Sequence, residues 1–214
     1  MIKDLSIKFF HFNKLKLELH PEVYDPAEDS FILIEILDNI RGSSVLEIGT
    51  GCGLIALECA RAGADVVCTD INPYAVDLVN RNYLRNKSLI NGNFEVRLGD
   101  LFNPINQREV FDIIIFNPPY LPTKKNEMVG ESGWFDVAND GGIGGIKITT
   151  LFIDKLPTFL NKKGRAYFIF SSLSDRNCLE SFIEKKKFQF KIVKSSSFND
   201  ETISVYCLIK KKKD

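Results

Sequence analysis

Histidine is nearly missing from this 214-residue chain: both copies, His11 and His20, lie close to the start. That scarcity removes the commonest general base and leaves no Ser-His-Asp or Cys-His nucleophile arrangement. Cysteine is present but unpatterned. Cys52, Cys59, Cys68, Cys178 and Cys207 form no C-x-x-C pair and no His-spaced cluster. Neither a metal site nor a redox dithiol is expected; reduced, buried thiols of a cytosolic protein are. Net charge is missing too, since 28 Lys and Arg balance 28 Asp and Glu. A dedicated nucleic-acid binder normally carries a basic footprint, so no direct DNA binding is expected. No apolar run approaches the ~20 residues of a membrane-spanning helix. The opening Met-Ile-Lys-Asp lacks the apolar core of a signal peptide. The expected location is the cytoplasm, with no membrane partner.

What is present suffices for a full core, with 44% hydrophobic residues. The length fits one domain over residues 1–214. Residues 1–20, which mix Lys with Phe9, Phe10, Phe12, Leu15, Leu17 and Leu19, are expected to form an arm lying on the main body. Asp25-Pro26-Ala27-Glu28 predicts a helix start, with Asp25 as cap, Pro26 in the first helical position and Glu28 completing a capping box. Leu33, Ile36, Leu37 and Ile40 follow at helical spacing, toward an end near Arg41-Gly42. Strand patterns then cover residues 44–48, 64–69, 93–98, 111–116, 165–170, 188–193 and 202–209. Helical patterns cover 54–62, 73–86, 144–160 and 173–187. This alternation predicts an α/β sheet with helices on both faces. A polar loop fills residues 122–142, and the Lys-rich spots at 162–163, 185–187 and 210–213 read as solvated ends.

One stretch organises the rest. Phe111 to Phe116 is apolar enough for a strand buried on both faces, and it stops at Asn117-Pro118-Pro119-Tyr120. Each proline fixes its own φ, donates no backbone hydrogen bond and pushes its predecessor toward an extended conformation. Asn117 and the Pro118 carbonyl thus become a stiff acceptor pair beside an aromatic ring. Such a pair suits a planar NH2 group, either an amide or an aromatic amine.

A second group of residues points to what faces that turn. Glu47-Ile48-Gly49-Thr50-Gly51-Cys52-Gly53 joins the first sheet strand to a helix. Its glycines permit a tight turn and a close ligand approach. A dinucleotide fingerprint needs G-x-G-x-x-G, and position 54 is Leu. The acid at Glu47 suits an ammonium group rather than a pyrophosphate. Asp70 ends the next strand, about 20 residues beyond Gly49, where a ribose is commonly read. Asp100 can accept from an adenine amino group while the Leu101 N–H meets the ring. Together these features imply adenosine with an amino-acid tail, hence S-adenosylmethionine.

The Glu47–Gly53 turn, Asp70 and Asn117-Pro118-Pro119-Tyr120 resemble the class I amino-methyltransferases. Val23-Tyr24-Asp25-Pro26-Ala27-Glu28-Asp29-Ser30 and Thr69-Asp70-Ile71-Asn72-Pro73 narrow the resemblance to the short archaeal and eukaryotic HemK-like glutamine methyltransferases. That resemblance implies a Rossmann-like seven-stranded sheet of order 3-2-1-4-5-7-6 with the last strand antiparallel. It implies methylation of the Gln side-chain amide in the Gly-Gly-Gln motif of a class I peptide chain release factor, with S-adenosylhomocysteine as product. Tyr24, Pro26 and Ser30 would cover the cofactor, with Glu28 and Asp29 serving as cap residues instead. Glu47, Gly49, Thr50, Gly51, Asp70, Ile71, Asp100, Leu101 and Asn117 would complete the cofactor site. Asn117, Pro118 and Tyr120 would carry catalysis, with Pro119 also touching substrate. The short branch pairs with a small zinc-binding activator subunit beside the third strand, here opened by Asn93 and closed by Leu98, where Val96 and Leu98 flank Arg97. The chain departs from its relatives in the spacing between Trp134 and Gly141-Gly142. Two rivals remain: adenine amino methylation on DNA or RNA, which the same turn serves, and a non-catalytic cofactor-binding scaffold. Lysine methylation is weaker, since the turn supplies nothing to deprotonate an amine.

Overall fold

The computed structural model describes residues 7–120, 133–134, 141–198 and 200–211. Most of the loop at 122–142 lies outside these. The chain opens with a hairpin, β1 (Phe9–Phe12) and β2 (Leu15–Glu18). There follow α1 (Glu28–Glu35), β3 (Ser44–Ile48), α2 (Leu54–Arg61), β4 (Asp65–Asp70), α3 (Pro73–Asn86), β5 (Phe94–Leu98) and β6 (Phe111–Phe116). The last part comprises α4 (Lys147–Phe159), β7 (Leu160–Ser171), α5 (Arg176–Lys185), β8 (Phe188–Phe198) and β9 (Glu201–Lys210).

Seven strands form one sheet in the order β5-β4-β3-β6-β7-β9-β8. Counted from β3, this is the expected 3-2-1-4-5-7-6. β9 runs antiparallel to both β7 and β8, while β3, β4, β5, β6 and β7 pair in parallel. The central strand β6 explains the need for cover on both faces. Ile114 and Phe116 pack with Phe152, Ile153 and Leu156 of α4. Ile113 and Ile115 pack with Leu33 of α1 and Ile55 and Cys59 of α2. Apolar residues at every β6 position from Ile113 to Phe116 are the sequence signature of that double burial.

Several boundaries differ from expectation, each for a local reason. Helix α1 begins at Glu28, its N-cap is Ala27, and no side chain caps it. Neither the Asp25 cap nor the capping box forms, because the helix starts two residues later than an Asp25 cap requires; the Asp29 carboxyl instead takes the first-turn Ser30 N–H at 2.6 Å. The helix stops at Glu35, and Asn39 soon turns the chain through a left-handed φ of 55°. Helix α4 starts at Lys147 rather than residue 144, since Gly144 and Gly145 adopt φ of 65° and 68°. β7, β8 and β9 are longer than their apolar cores. Antiparallel pairing carries on through polar residues such as Ser195 and Ser204. By contrast α3 starts where Asn72-Pro73 predicts, with Asn72 Oδ1 accepting the Tyr74 N–H at 2.9 Å.

The hairpin gives residues 9–18 a definite structure. Asn82 and Asn86 of α3, both buried, accept from the backbone N–H groups of Glu18 and Lys16 at 2.7 and 3.0 Å. Both amides also donate back to the same backbone, at 3.1 and 2.9 Å. A helix side-chain pair thus stands in for a sheet neighbour along β2.

Candidate functional site

The carboxyl ends of β3, β4, β5 and β6 open into a cavity of about 460 Å3. Every residue singled out from the sequence lines it: Tyr24, Pro26, Ser30, Glu47, Gly49, Thr50, Gly51, Asp70, Ile71, Asp100, Leu101, Asn117, Pro118, Pro119 and Tyr120. A crevice outside the carboxyl ends of parallel strands is where open α/β sheets bind ligands.

On the β3–β4 side the polar groups satisfy one another. Gly49, Gly51 and Gly53 hold φ of 64°, 57° and 85°, which bends the chain from β3 into α2. A side chain at Gly49 would also place Cβ at 3.3 Å from the Phe116 ring. Glu47 is buried, and its Oε2 accepts from the Thr50 hydroxyl at 2.6 Å and the Ala56 N–H at 3.0 Å. Burial pushes its carboxyl up to about 8, against the smaller opposing pull of those two bonds. The Thr50 hydroxyl is therefore spent on Glu47, so Thr50 acts on the cavity through its fold rather than that oxygen. Asp70 accepts the Gly51 N–H at 2.9 Å on one oxygen and the Asn72 N–H at 2.9 Å on the other. Burial raises its carboxyl above the usual range while three backbone N–H groups resist. The carboxylate keeps acceptor capacity for a ligand hydroxyl. The Cys52 thiol also lines the cavity, and burial pushes it up to about 12, which keeps it a neutral thiol.

On the β6 side one group is left over. Asn117 Oδ1 is buried and has no hydrogen-bond partner among the described residues. Buried acceptors almost always have a partner, and an unmet one costs roughly 1–3 kcal/mol. The Pro118–Pro119 segment holds the backbone while the Tyr120 carbonyl accepts from the Ser174 hydroxyl at 2.7 Å. The Tyr120 hydroxyl donates to Asp29 at 3.2 Å.

Residues 22–135 match the family described as the methyltransferase small domain. The chain belongs to this methyltransferase family. The methyltransferase is 42% identical over 179 residues to a Methanocaldococcus jannaschii protein assigned as a protein N5-glutamine methyltransferase, covering 83% of this chain and 86% of that one. It is 30% identical over 194 residues to the human methyltransferase HEMK2, covering 86% of this chain and 88% of the human protein. Its fold also matches the E. cuniculi Mtq2–Trm112 complex, described as responsible for the methylation of the eRF1 translation termination factor. There the TM-score is 0.65 at 25% identity, over 88% of this chain and 99% of the other. Within its family the methyltransferase is therefore HemK-like.

Sequence reasoning missed three contributors to the methyltransferase cavity. Asp29, read as a cap residue, is 2% exposed and takes both tyrosine hydroxyls. Asn72 anchors the covering segment by donating its amide to the Glu22 carbonyl at 2.7 Å. Asn-Pro before a helix does signal a cap, but not that second bond. Glu201, at the start of β9, lines the cavity from a distant part of the chain and accepts from the Ser171 hydroxyl. No local pattern marks it. Trp134 lines the cavity as well, while its neighbours 135–140 lie outside the described residues. Among the described residues no group of three or more His, Cys, Asp or Glu is placed to hold a metal ion. No described helix is long and apolar enough to cross a membrane.

Proposed function

We propose that this methyltransferase uses S-adenosylmethionine to methylate the side-chain amide nitrogen of Gln in the Gly-Gly-Gln motif of a class I peptide chain release factor. The observation that carries this reading is the unpartnered, buried Asn117 Oδ1. A rigid acceptor left unmet by the described residues fits a donor NH2 that arrives with substrate.

The cavity chemistry fits the donor. Glu47 would take its ammonium group, Asp70 its ribose hydroxyls, and Asp100 with Leu101 its adenine, while the glycine turn admits the backbone closely. Carboxyl-bearing residues Asp29, Glu47, Asp70, Asp100 and Glu201 line the cavity, with no Lys, Arg or His among the described lining residues, a balance that suits a cationic ligand. The donor supplies a methyl group on an electrophilic sulfonium.

The chain's own residues then manage the amide. Asn117 Oδ1 and the Pro118 carbonyl accept its two N–H hydrogens, which orients the nitrogen lone pair and favours the more positive, pyramidal nitrogen of the transition state. The Tyr120 ring lies against the amide plane. Rate enhancement comes from positioning and preorganised dipoles. The amide nitrogen, acidic once it gains a carbon, gives its extra proton to water, so the site needs no histidine.

A small zinc-binding partner subunit would sit against the free edge of β5. There Leu98 is 55% exposed. Arg97 lies between Glu95 and Glu109, with bonds of 2.8 Å to each. A cytoplasmic location follows from translation as the setting. The test is methyl transfer from labelled S-adenosylmethionine to a release factor, in its Gly-Gly-Gln and Gly-Gly-Asn forms, with and without the partner subunit. Labelling confined to the Gln form is expected. Equal labelling of both, or labelling of RNA instead, would overturn the substrate.

A further inference from the structure

Asp29 is buried where the amide site and the covering segment meet, and its partners come from both. Its Oδ2 accepts from the Tyr24 hydroxyl at 3.3 Å and from the Tyr120 hydroxyl at 3.2 Å. Its Oδ1 accepts from the Ser30 N–H at 2.6 Å and the Ser30 hydroxyl at 3.2 Å. No ion pair with Asp29 occurs among the described residues. A buried carboxyl held by hydrogen bonds alone is a costly arrangement for a helix first turn. The apolar packing of α1 against the sheet is carried separately, by Ile32 and Leu33.

We propose that Asp29 is a positioning residue that clamps Tyr24 and Tyr120 together and so sets the ring of Tyr120 beside Asn117. Three segments meet there: residue 24 before α1, Asp29 in its first turn, and Tyr120 ending the turn after β6. Burial, then the nearby Asp29, holds both tyrosine hydroxyls well above their ordinary 10, so they stay hydrogen-bond donors. Since α1 and the β6 turn have no other side-chain hydrogen bond between them among the described residues, order in the covering segment is transmitted to the amide site through Asp29. The proposal rests on the amide-methylation reading for its rate consequence, but the clamp itself is a property of the free chain.

The test combines a mutant cycle with hydrogen exchange on the full chain. Asp29→Ala and Tyr120→Phe should each lower kcat by roughly 10- to 100-fold, the scale of a small misplacement of a reacting group. S-adenosylmethionine affinity should stay within about threefold. The double variant should lose no more than the worse single one, because both break the same bond. Asp29→Asn, which keeps an acceptor of similar size, should recover most of the rate. Without turnover, Asp29→Ala should speed amide exchange at residues 24–30 and at Tyr120 together. Additive losses in the double variant, or exchange that rises only within α1, would overturn the clamp. If exchange couples the two segments while the wild type leaves Gly-Gly-Gln unlabelled, the substrate fails and the clamp stands. If Gln is labelled and both variants turn over normally, the clamp fails and the substrate stands.

Discussion

Two sides of one cavity are built on opposite rules. On the β3–β4 side every acid is already engaged: Glu47 by Thr50 and Ala56, Asp70 by Gly51 and Asn72. That side keeps its shape with no ligand, because the same bonds that will orient the ligand also close the turn. On the β6 side the turn is stiffened by prolines instead, and Asn117 Oδ1 has no partner among the described residues. A stiff acceptor left unmet among the described residues is open to an incoming donor. The difference separates two tasks. Holding a cofactor tolerates a self-satisfied site with spare lone pairs, whereas orienting a weak nucleophile needs acceptors that nothing else occupies.

The sharpest way to break this contrast is Asn117→Ala. Methyl transfer should fall by roughly 10²–10³, by analogy with losing one preorganised transition-state group. Cofactor affinity measured by calorimetry should persist. The melting temperature should hold or rise, because a buried unmet acceptor is removed. A fall in stability matching the fall in rate would mean that Oδ1 has a structural partner.

Asp70→Ala should do the reverse. Cofactor affinity should drop by at least tenfold, given about 1.5–3 kcal/mol per hydrogen bond to a charged group. Thermal stability should drop as well, since the Gly51 and Asn72 N–H groups lose their acceptor. Unchanged affinity would remove Asp70 from the ribose.

Glu47 gives the contrast a pH axis. Burial holds its carboxyl at about 8, against an ordinary 4.5. Between those values the native chain binds more protons than the unfolded one, so this group's contribution to stability declines as pH rises through the window. A ligand ammonium favours the ionised form, so binding should release a proton near neutral pH. Affinity should therefore rise between pH 6 and 8. Calorimetry in buffers of different ionisation heat would detect the proton, and a flat profile would remove Glu47 from the ammonium.

The smallest effect is expected farthest from both sides. Leu98→Asp at the exposed end of β5 should leave cofactor affinity within about twofold, as surface changes usually do. Co-purification with the partner subunit should fall. Retained pairing would move the partner to another surface.

Much of this site could be read from local spacing. Gly49, Gly51, Asp70 and Asn117 sit where strands end, and a strand end is visible as an apolar run meeting Gly, Asp or Pro. The helix at Pro73 was legible for the same reason, since its cap bond spans two residues. Helix α1 was not. Asp25-Pro26-Ala27-Glu28 has the letters of a capped start, but the helix starts two residues later with N-cap Ala27, and the buried Asp29 carboxyl that shapes its first turn is held in part by Tyr120, 91 residues away. Glu201 was equally hidden, because it reaches the cavity only through the antiparallel return of β9 beside β7.

The amino-acid sequence alone thus determined the run of strands and helices, the glycine turn, the strand-end acids and the proline-stiffened Asn117, all features governed by φ preferences and burial period, while the strand order was expected only from the family resemblance. Tertiary structure alone decided how those parts are wired. It left Asn117 Oδ1 unmet, engaged the Glu47 and Asp70 carboxyls, and joined Tyr24 to Tyr120 through Asp29. The physical reason is range: backbone preference acts within a few residues, while a buried polar atom takes whatever donor packing brings within about 3 Å.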